Sequence, residues 1–260
     1  MKLSISNIGW KAEADDFVYA AMKTLGFTGL EIAPTRIFPV SPYDKCSEAS
    51  LWVSSLGFVI PSMQSIWNGR AEQLFGSDEE RKYLLEYTKK AVDFASAIGC
   101  KNLVFGCPRN RNIPSEGNSS VAVDFFRTIG EYAALHGTVI GMEANPPIYN
   151  TNFINTTKSA LDLIETVGSP GFLLNLDVGT MVENSENVDV LDGRAHLINH
   201  VHISEPGLKL IQKRTLHREL SDYLKSMDYD GYISIEVGTQ EDAGKLVDSM
   251  EYVRDVFNAE

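Results

Sequence analysis

The chain repeats one pattern eight times: a short apolar run, a polar loop, an amphipathic segment, a glycine, and the next apolar run. The runs begin near Leu3, Gly29, Phe58, Asn102, Thr138, Phe172, Ile198 and Tyr232. Between them, apolar residues recur at three- and four-residue spacing, as at Tyr83, Leu84, Tyr87, Ala91, Phe94 and Ala95. That is the period of a helix with one buried face. Gly26, Gly57, Gly99, Gly137 and Gly168 follow these segments, where a helix ends in left-handed backbone. Ser77-Asp78-Glu79-Glu80 and Ser41-Pro42-Tyr43-Asp44 match the S-x-x-acid signature of a helix start. Runs such as Leu103-Val104-Phe105 read as strands apolar on both faces, as in a parallel sheet covered by helices.

Eight strand–helix units in 260 residues match the count and length of a (β/α)8 TIM barrel. An open doubly wound sheet would carry a glycine fingerprint after its first strand, and Ile8-Gly9-Trp10 offers a single glycine. No linker or low-complexity stretch divides the chain. The expectation is therefore one α/β barrel domain over residues 1–260. No segment reaches the roughly 18 consecutive apolar residues of a membrane span. Met1-Lys2-Leu3-Ser4-Ile5-Ser6 reads as a strand and not as a signal peptide. Cys46, Cys100 and Cys107 lack the even count or C-x-x-C spacing of disulfide or metal motifs. A cytoplasmic protein with no membrane partner is expected. Its net charge of -12 also argues against a nucleic-acid partner, which needs a basic footprint.

Four successive runs end in ligand-type residues. Val139-Ile140-Gly141-Met142 is followed by Glu143, and Phe172-Leu173-Leu174-Asn175-Leu176 by Asp177; Ile198-Asn199-His200-Val201 leads to His202, and Tyr232-Ile233-Ser234-Ile235 to Glu236. A carboxylate at the end of a buried strand needs a partner, a proton or a metal. In a (β/α)8 barrel all four strand ends face the active-site mouth. Taken singly, each residue is equally well read as a polar group tied to backbone or lysine. Four on consecutive strands point to one shared site. Three carboxylates and an imidazole suit one divalent ion, with Mn2+ favoured and Zn2+, Mg2+ or Co2+ possible. His200 lies two residues before His202, on the same face and one layer deeper, and is expected to support the site without ligating.

Further candidates line the predicted mouth. After strand 3, Gln64, Trp67 and Asn68 offer a wall on which a sugar can stack, with core packing of Trp67 as the alternative. Arg109 and Arg111, after strand 4, offer forked hydrogen bonds to a phosphate or carboxylate, or else solvated loop charge. His217, at the start of the seventh helix, is placed either to reach substrate or to lie on the surface.

With these residues in view, the sequence resembles the xylose-isomerase-like barrels. The resemblance rests on Glu143, Asp177, the His200-Val201-His202-Ile203-Ser204-Glu205 stretch and Glu236, with Met1–Asn7 and Gly26–Ile32 also similar. It covers nearly the whole chain. The superfamily includes sugar-phosphate isomerases, ketose 3-epimerases, hydroxypyruvate isomerases, inosose dehydratases and type IV endonucleases. The resemblance implies a metal-dependent isomerase or epimerase of a small carbohydrate, in which Glu143 and Glu236 bind metal and move protons. A dehydratase or lyase on the same site and an inactive sugar-binding barrel are the alternatives. The sequence departs from the ketohexose 3-epimerase pattern at Thr180 and Tyr149, where that pattern has a histidine and a glutamate. Its arginine after the His-x-x-Glu stretch is missing, with Lys209 nearby as a substitute contact. The further zinc-binding histidines of the endonucleases are absent from strands ending near Glu31 and Gln64.

Overall fold

The computed structural model describes residues 1–115 and 118–258. Eight parallel strands form one sheet: β1 Lys2–Ser6, β2 Gly29–Glu31, β3 Ser62–Met63, β4 Asn102–Phe105, β5 Val139–Met142, β6 Phe172–Asp177, β7 Ile198–Ile203 and β8 Tyr232–Ile235. Their order is β2-β1-β8-β7-β6-β5-β4-β3. The two outer strands meet through single bridges, Gly29 to Val59 and Ile32 to Met63, so the sheet curls into a nearly closed barrel. Around it run the helices α1 Asp15–Leu25, α2 Pro34–Ile37, α3 Cys46–Leu56, α4 Asp78–Ala97, α5 Ser120–Leu135, α6 Thr157–Val167, α7 Val178–Glu183, α8 Thr215–Ser226 and α9 Gly244–Phe257. The expected (β/α)8 fold is present. None of the helices among the described residues is long and apolar enough to cross a membrane.

Local signals behave as their chemistry requires, with two corrections. Ser77 caps α4 in a reciprocal box, its hydroxyl accepting from Glu80 N while the Glu80 carboxylate accepts from Ser77 N. Gly168 ends α6 at φ 63°, in the left-handed region. Ser41, by contrast, caps no helix: it sits at φ 47° before a 3-10 turn, Pro42–Asp44, and makes no side-chain cap. The third strand starts at Ser62 and not near Phe58. Val59 does bond to β2 through Leu30 N and Thr28 O, but Pro61 has no N–H to continue the ladder.

The strands are also not apolar on both faces. Outward residues such as Leu103, Phe105, Leu174 and Leu176 pack under the helices. The alternate positions, which face into the barrel, are largely polar: Ser4, Ser62, Asn102, Asn175, His200 and Ser234 are all buried. Most of them satisfy one another, although the Ser4 hydroxyl has no partner among the described residues. Asn102 Nδ2 donates to Ser62 Oγ at 3.0 Å and Asn175 Oδ1 at 3.2 Å, while its Oδ1 accepts from Asn199 at 2.8 Å. Gly141 makes room for this cluster, because a Cβ there would stand 2.4 Å from Asn102 Oδ1. A hydrogen-bonded plug therefore fills the barrel floor where branched apolar layers are more usual.

Removing the cap of α4 tests the local reading. Ser77→Ala should lower stability by about 1 kcal/mol. Urea denaturation should show a lower midpoint with an unchanged slope.

Candidate metal centre

The ends of β5, β6, β7 and β8 bring Glu143, Asp177, His202 and Glu236 together, with one potential ligand atom from each lying within 4.8 Å of the others. His202 is fully buried, and each carboxylate is less than a tenth exposed. Each side chain is held differently. Asp177 Oδ2 accepts from Thr180 N at 2.8 Å, capping α7, and Ser204 donates its hydroxyl to Oδ1. Glu143 accepts from two amides, Asn175 Nδ2 on Oε1 at 2.9 Å and Asn145 Nδ2 on Oε2 at 3.1 Å. Gly106, at the end of β4, leaves space for that carboxylate, since a Cβ would lie 2.7 Å from Oε2. Glu236 accepts no amide or hydroxyl bond among the described residues; His202 Nδ1 stands 3.3 Å from its Oε2.

His202 is fixed from across the barrel. Its Nε2 stands 2.8 Å from Oε2 of Glu31, at the end of β2. Gln64 donates to the other Glu31 oxygen at 3.0 Å. With Nε2 committed, Nδ1 points at Glu143 Oε1 (3.0 Å) and Glu236 Oε2 (3.3 Å). It makes no hydrogen bond of acceptable geometry to either and is left as a buried polar atom without a partner. A divalent ion sits about 2.0–2.2 Å from nitrogen and oxygen ligands, so ligand atoms on opposite sides stand about 4 Å apart. The spacing, the donor set and the orphaned Nδ1 all fit such an ion. A carboxylate that sets the ring and tautomer of a ligating histidine is a recurrent second layer of metal sites. The deeper group of Glu31, His200 and His202 is different, because its members already bond to one another: His200 Nε2 lies 2.9 Å from Ser234 Oγ and 3.3 Å from Glu31 Oε2.

Charge follows from this geometry. Burial raises Glu31, but the charge of His202 and hydrogen bonds from both histidines outweigh it and hold the carboxyl below its ordinary range. Burial lowers His202, yet Glu31, Glu236 and Glu143 keep it well above the usual histidine value. Burial pushes Glu236 up to about 7, reinforced by the charges of Glu143 and Asp177 and only partly offset by His202. Burial and the Glu143 charge push Asp177 up to about 6.

The remaining sequence candidates separate. Gln64 is buried beneath the site, supporting Glu31 and Ser6. Trp67 is not a stacking wall: it is 2% exposed, donates Nε1 to Thr88 at 2.8 Å and packs edge-on against Phe105. Arg111 is not on the rim. It is fully buried, donating to Glu143 O at 3.0 Å and Asn145 Oδ1 at 2.9 Å, so it holds the turn that carries Glu143. His217 is neither on the surface nor at the mouth. It is buried between α8 and α9 with Nδ1 3.0 Å from the Tyr252 hydroxyl, and burial lowers it to about 4. Arg109 and Lys209 are exposed on the loops after β4 and β7. Glu31, Asn145, Asn175 and Ser204 were not singled out as site residues. The signal for Asn175 was available: it lies two residues before Asp177, hence on the same face.

Two outcomes test the centre. Mn2+ binding should strengthen from about pH 5 to about pH 8 and release protons, because the ion must displace them from His202, Glu236 and Asp177. Calorimetry in buffers of different ionisation enthalpy reads both effects, and a constant affinity would exclude these ligands. Asp177→Asn should weaken Mn2+ strongly, and Glu31→Gln, which touches no ion, by about 10–100-fold.

The chain matches the family model described as xylose isomerase-like TIM barrel over residues 19–256. No curated protein matches it significantly. Among solved structures, the 3-keto-D-glucoside 4-epimerase of E. coli superposes with TM-score 0.79 at 22% identity, over 98% of this chain and 99% of that one. The D-psicose 3-epimerase of Clostridium cellulolyticum H10, solved with D-tagatose, gives TM-score 0.75 at 19% identity, covering 100% and 92%. A probable 3-DHS dehydratase of Bacillus anthracis gives 0.67 at 17% identity over 100% of both chains. At these identities the likeness is one of fold. The family match, which takes in β2 to β8 and all four converging side chains, places this chain in the xylose isomerase-like TIM barrel family.

Proposed function

We propose that this barrel is a divalent-metal-dependent isomerase or epimerase of a small sugar or sugar derivative. Glu143, Asp177, His202 and Glu236 would hold the ion, Mn2+ ahead of Zn2+, Mg2+ or Co2+. Once bound, the ion supplies polarisation of a substrate carbonyl and stabilises the charge that develops as the neighbouring carbon loses its proton. The observation that carries the reading is the contrast between the two glutamates. Glu143 is oriented by two amide donors and cannot swing. Glu236 accepts no amide or hydroxyl hydrogen bond among the described residues, so its carboxylate is free to turn between the ion and a substrate. A carboxylate so placed can take a proton from carbon and hand it back. Strands β5 and β8 lie at the two ends of the ligand arc, so a sugar held between them meets the two carboxylates from different sides. Two of the structural neighbours named above are sugar epimerases, which agrees with this chemistry. Arg109 and Lys209, exposed beside the mouth, are proposed as substrate contacts.

Dehydration of a polyol or keto-acid shares the first proton transfer, and one neighbour is a probable dehydratase. Product mass separates the two. A sugar panel incubated with Mn2+-loaded protein in D2O should yield an isomer of unchanged skeleton, deuterated next to the carbonyl. Glu236→Gln should slow that exchange by about 10²–10⁴-fold even at Mn2+ concentrations high enough to restore occupancy. Turnover without solvent deuterium would remove the two-glutamate assignment. The partner reading is tested separately: with net charge -12, no binding to duplex DNA is expected at physiological salt, and incision at abasic sites would overturn it.

A further inference from the structure

A groove of about 930 Å3 occupies the other half of the rim, over the loops that follow β1, β2 and β3 and against the start of α4. It opens at the same end of the barrel as the four converging ligands. The loops that line it follow the strands that end at Glu31 and just before Gln64, and of these two residues Glu31 holds His202. Its volume is at the upper end of the roughly 300–1,000 Å3 of sites that enclose drug-sized ligands. That is more room than the reacting part of a small sugar needs.

The lining is unusual for this chain. The whole sequence carries 35 acidic and 23 basic residues, yet the groove presents Lys11, Arg36, Arg70 and Lys90 against Glu13 and Asp44. Three of the cations are neutralised: Lys90 by Asp44 at 3.0 Å, Arg36 by Asp15 at 2.7 Å and Lys11 by Glu241 at 2.7 Å. Arg70 is not. No carboxylate among the described residues forms an ion pair with it, and Glu72 acts on it only through space. It is set in place by aromatic side chains instead. Nη1 donates to the Tyr83 hydroxyl at 2.6 Å, and the guanidinium stands 5.0 Å from the Tyr87 ring centre. The two tyrosine rings lie parallel, 11° apart in plane, and Tyr83 is 43% exposed. A guanidinium carries five N–H donors in a planar fork that matches an oxyanion. The Arg70 side chain uses one, and its Nε is buried without a partner. Beside it, Tyr83 offers an open face of the kind that receives the apolar side of a sugar ring.

We propose that this groove is a second subsite, taking the distal end of an extended acidic carbohydrate whose carboxylate or phosphate is held by Arg70 and whose ring lies against Tyr83. The inference rests on the sugar-isomerase reading for what reacts at the metal centre, but not for what binds in the groove. The substrate is then a sugar acid glycoside or phosphorylated glycoside and not a free ketohexose.

Calorimetry on the Mn2+-loaded protein tests it with three probes: a neutral disaccharide, the same disaccharide ending in a uronate, and one phosphorylated on its distal ring. At least one acidic probe should bind about tenfold or more tightly than the neutral one, and the tighter of the two identifies the oxyanion. Arg70→Gln should erase that difference, whereas Tyr83→Ala, which removes the ring and also the hydroxyl that holds Arg70, should weaken the neutral probe and the acidic probes still more. Should Arg70→Gln fail to fold, the wild-type protein still decides. Its preference for the acidic probe must shrink from about 0.05 M to about 0.5 M salt, since an exposed ionic contact is screened. Equal affinity for all three probes, or a preference insensitive to salt and to Arg70, overturns the subsite. Binding is read without turnover, so failure of deuterium exchange would count against the isomerase reading alone. Exchange on a free sugar with no gain from the distal acid would count against the subsite alone.

Discussion

Four carboxylates, Glu31, Glu143, Asp177 and Glu236, are buried around one imidazole, and no lysine or arginine among the described residues forms an ion pair with them. Two like charges 4 Å apart repel by about 4 kcal/mol at an effective dielectric of 20. His202 alone cannot neutralise this cluster. Burial first, and the neighbouring carboxylate charges with it, raise the proton affinity of Glu236 and Asp177. Either protons or a cation must complete the site. The surroundings suit a cation: amide and hydroxyl donors hold Glu143 and Asp177 in place, and Glu31 holds the imidazole with Nδ1 inward.

The barrel divides this work between its halves. Strands β5 to β8 contribute the four converging side chains, while β2 contributes Glu31, which holds His202 from across the barrel, and β3 leads to Gln64, which donates to Glu31. Closure of the sheet between β2 and β3 is what allows a residue early in the chain to meet His202. The polar floor serves the same end. Asn175 belongs to both systems, accepting from Asn102 below and donating to Glu143 above. The hydrogen-bonded plug is thus continuous with the support of the site, and side chains that would be packing elsewhere here set carboxylate geometry.

Much of this was legible because strand order and strand ends are written locally. An apolar run that stops at an acid gives away both its element and its mouth-facing residue, so the convergence of Glu143, Asp177, His202 and Glu236 followed from the repeat itself. The supporting residues were harder. Glu31 ends a three-residue strand, and its role depends on a contact 171 positions away along the sequence, which no spacing reveals. Trp67, Arg111 and His217 were over-read for the opposite reason. Each has a side chain that serves equally in a core or at a rim, and the choice is made by how an irregular loop folds. Arg111 turns inward because Glu143 O and Asn145 Oδ1 need donors, a demand created by the β5 turn and not by its own neighbours in sequence.

The two departures from the ketohexose 3-epimerase pattern acquire a physical meaning in this setting. Thr180 places its hydroxyl 2.8 Å from Asp177 Oδ2 and 2.7 Å from Ala144 O, tying β6 to the end of β5. Tyr149 accepts from Gly207 N at 3.0 Å and joins the loops after β5 and β7. Residues at these positions therefore brace the rim from within; the Thr180 hydroxyl is engaged on both sides, while the Tyr149 hydroxyl accepts one bond and keeps its proton to donate. The loops over β1 to β3 carry the Arg70 guanidinium, which has no ion-pair partner among the described residues, and the exposed Tyr83 face. With the proposed subsite, discrimination between substrates would fall to the half of the barrel that carries none of the four converging side chains, and loop residues there could change while the carboxylate cluster stays as it is.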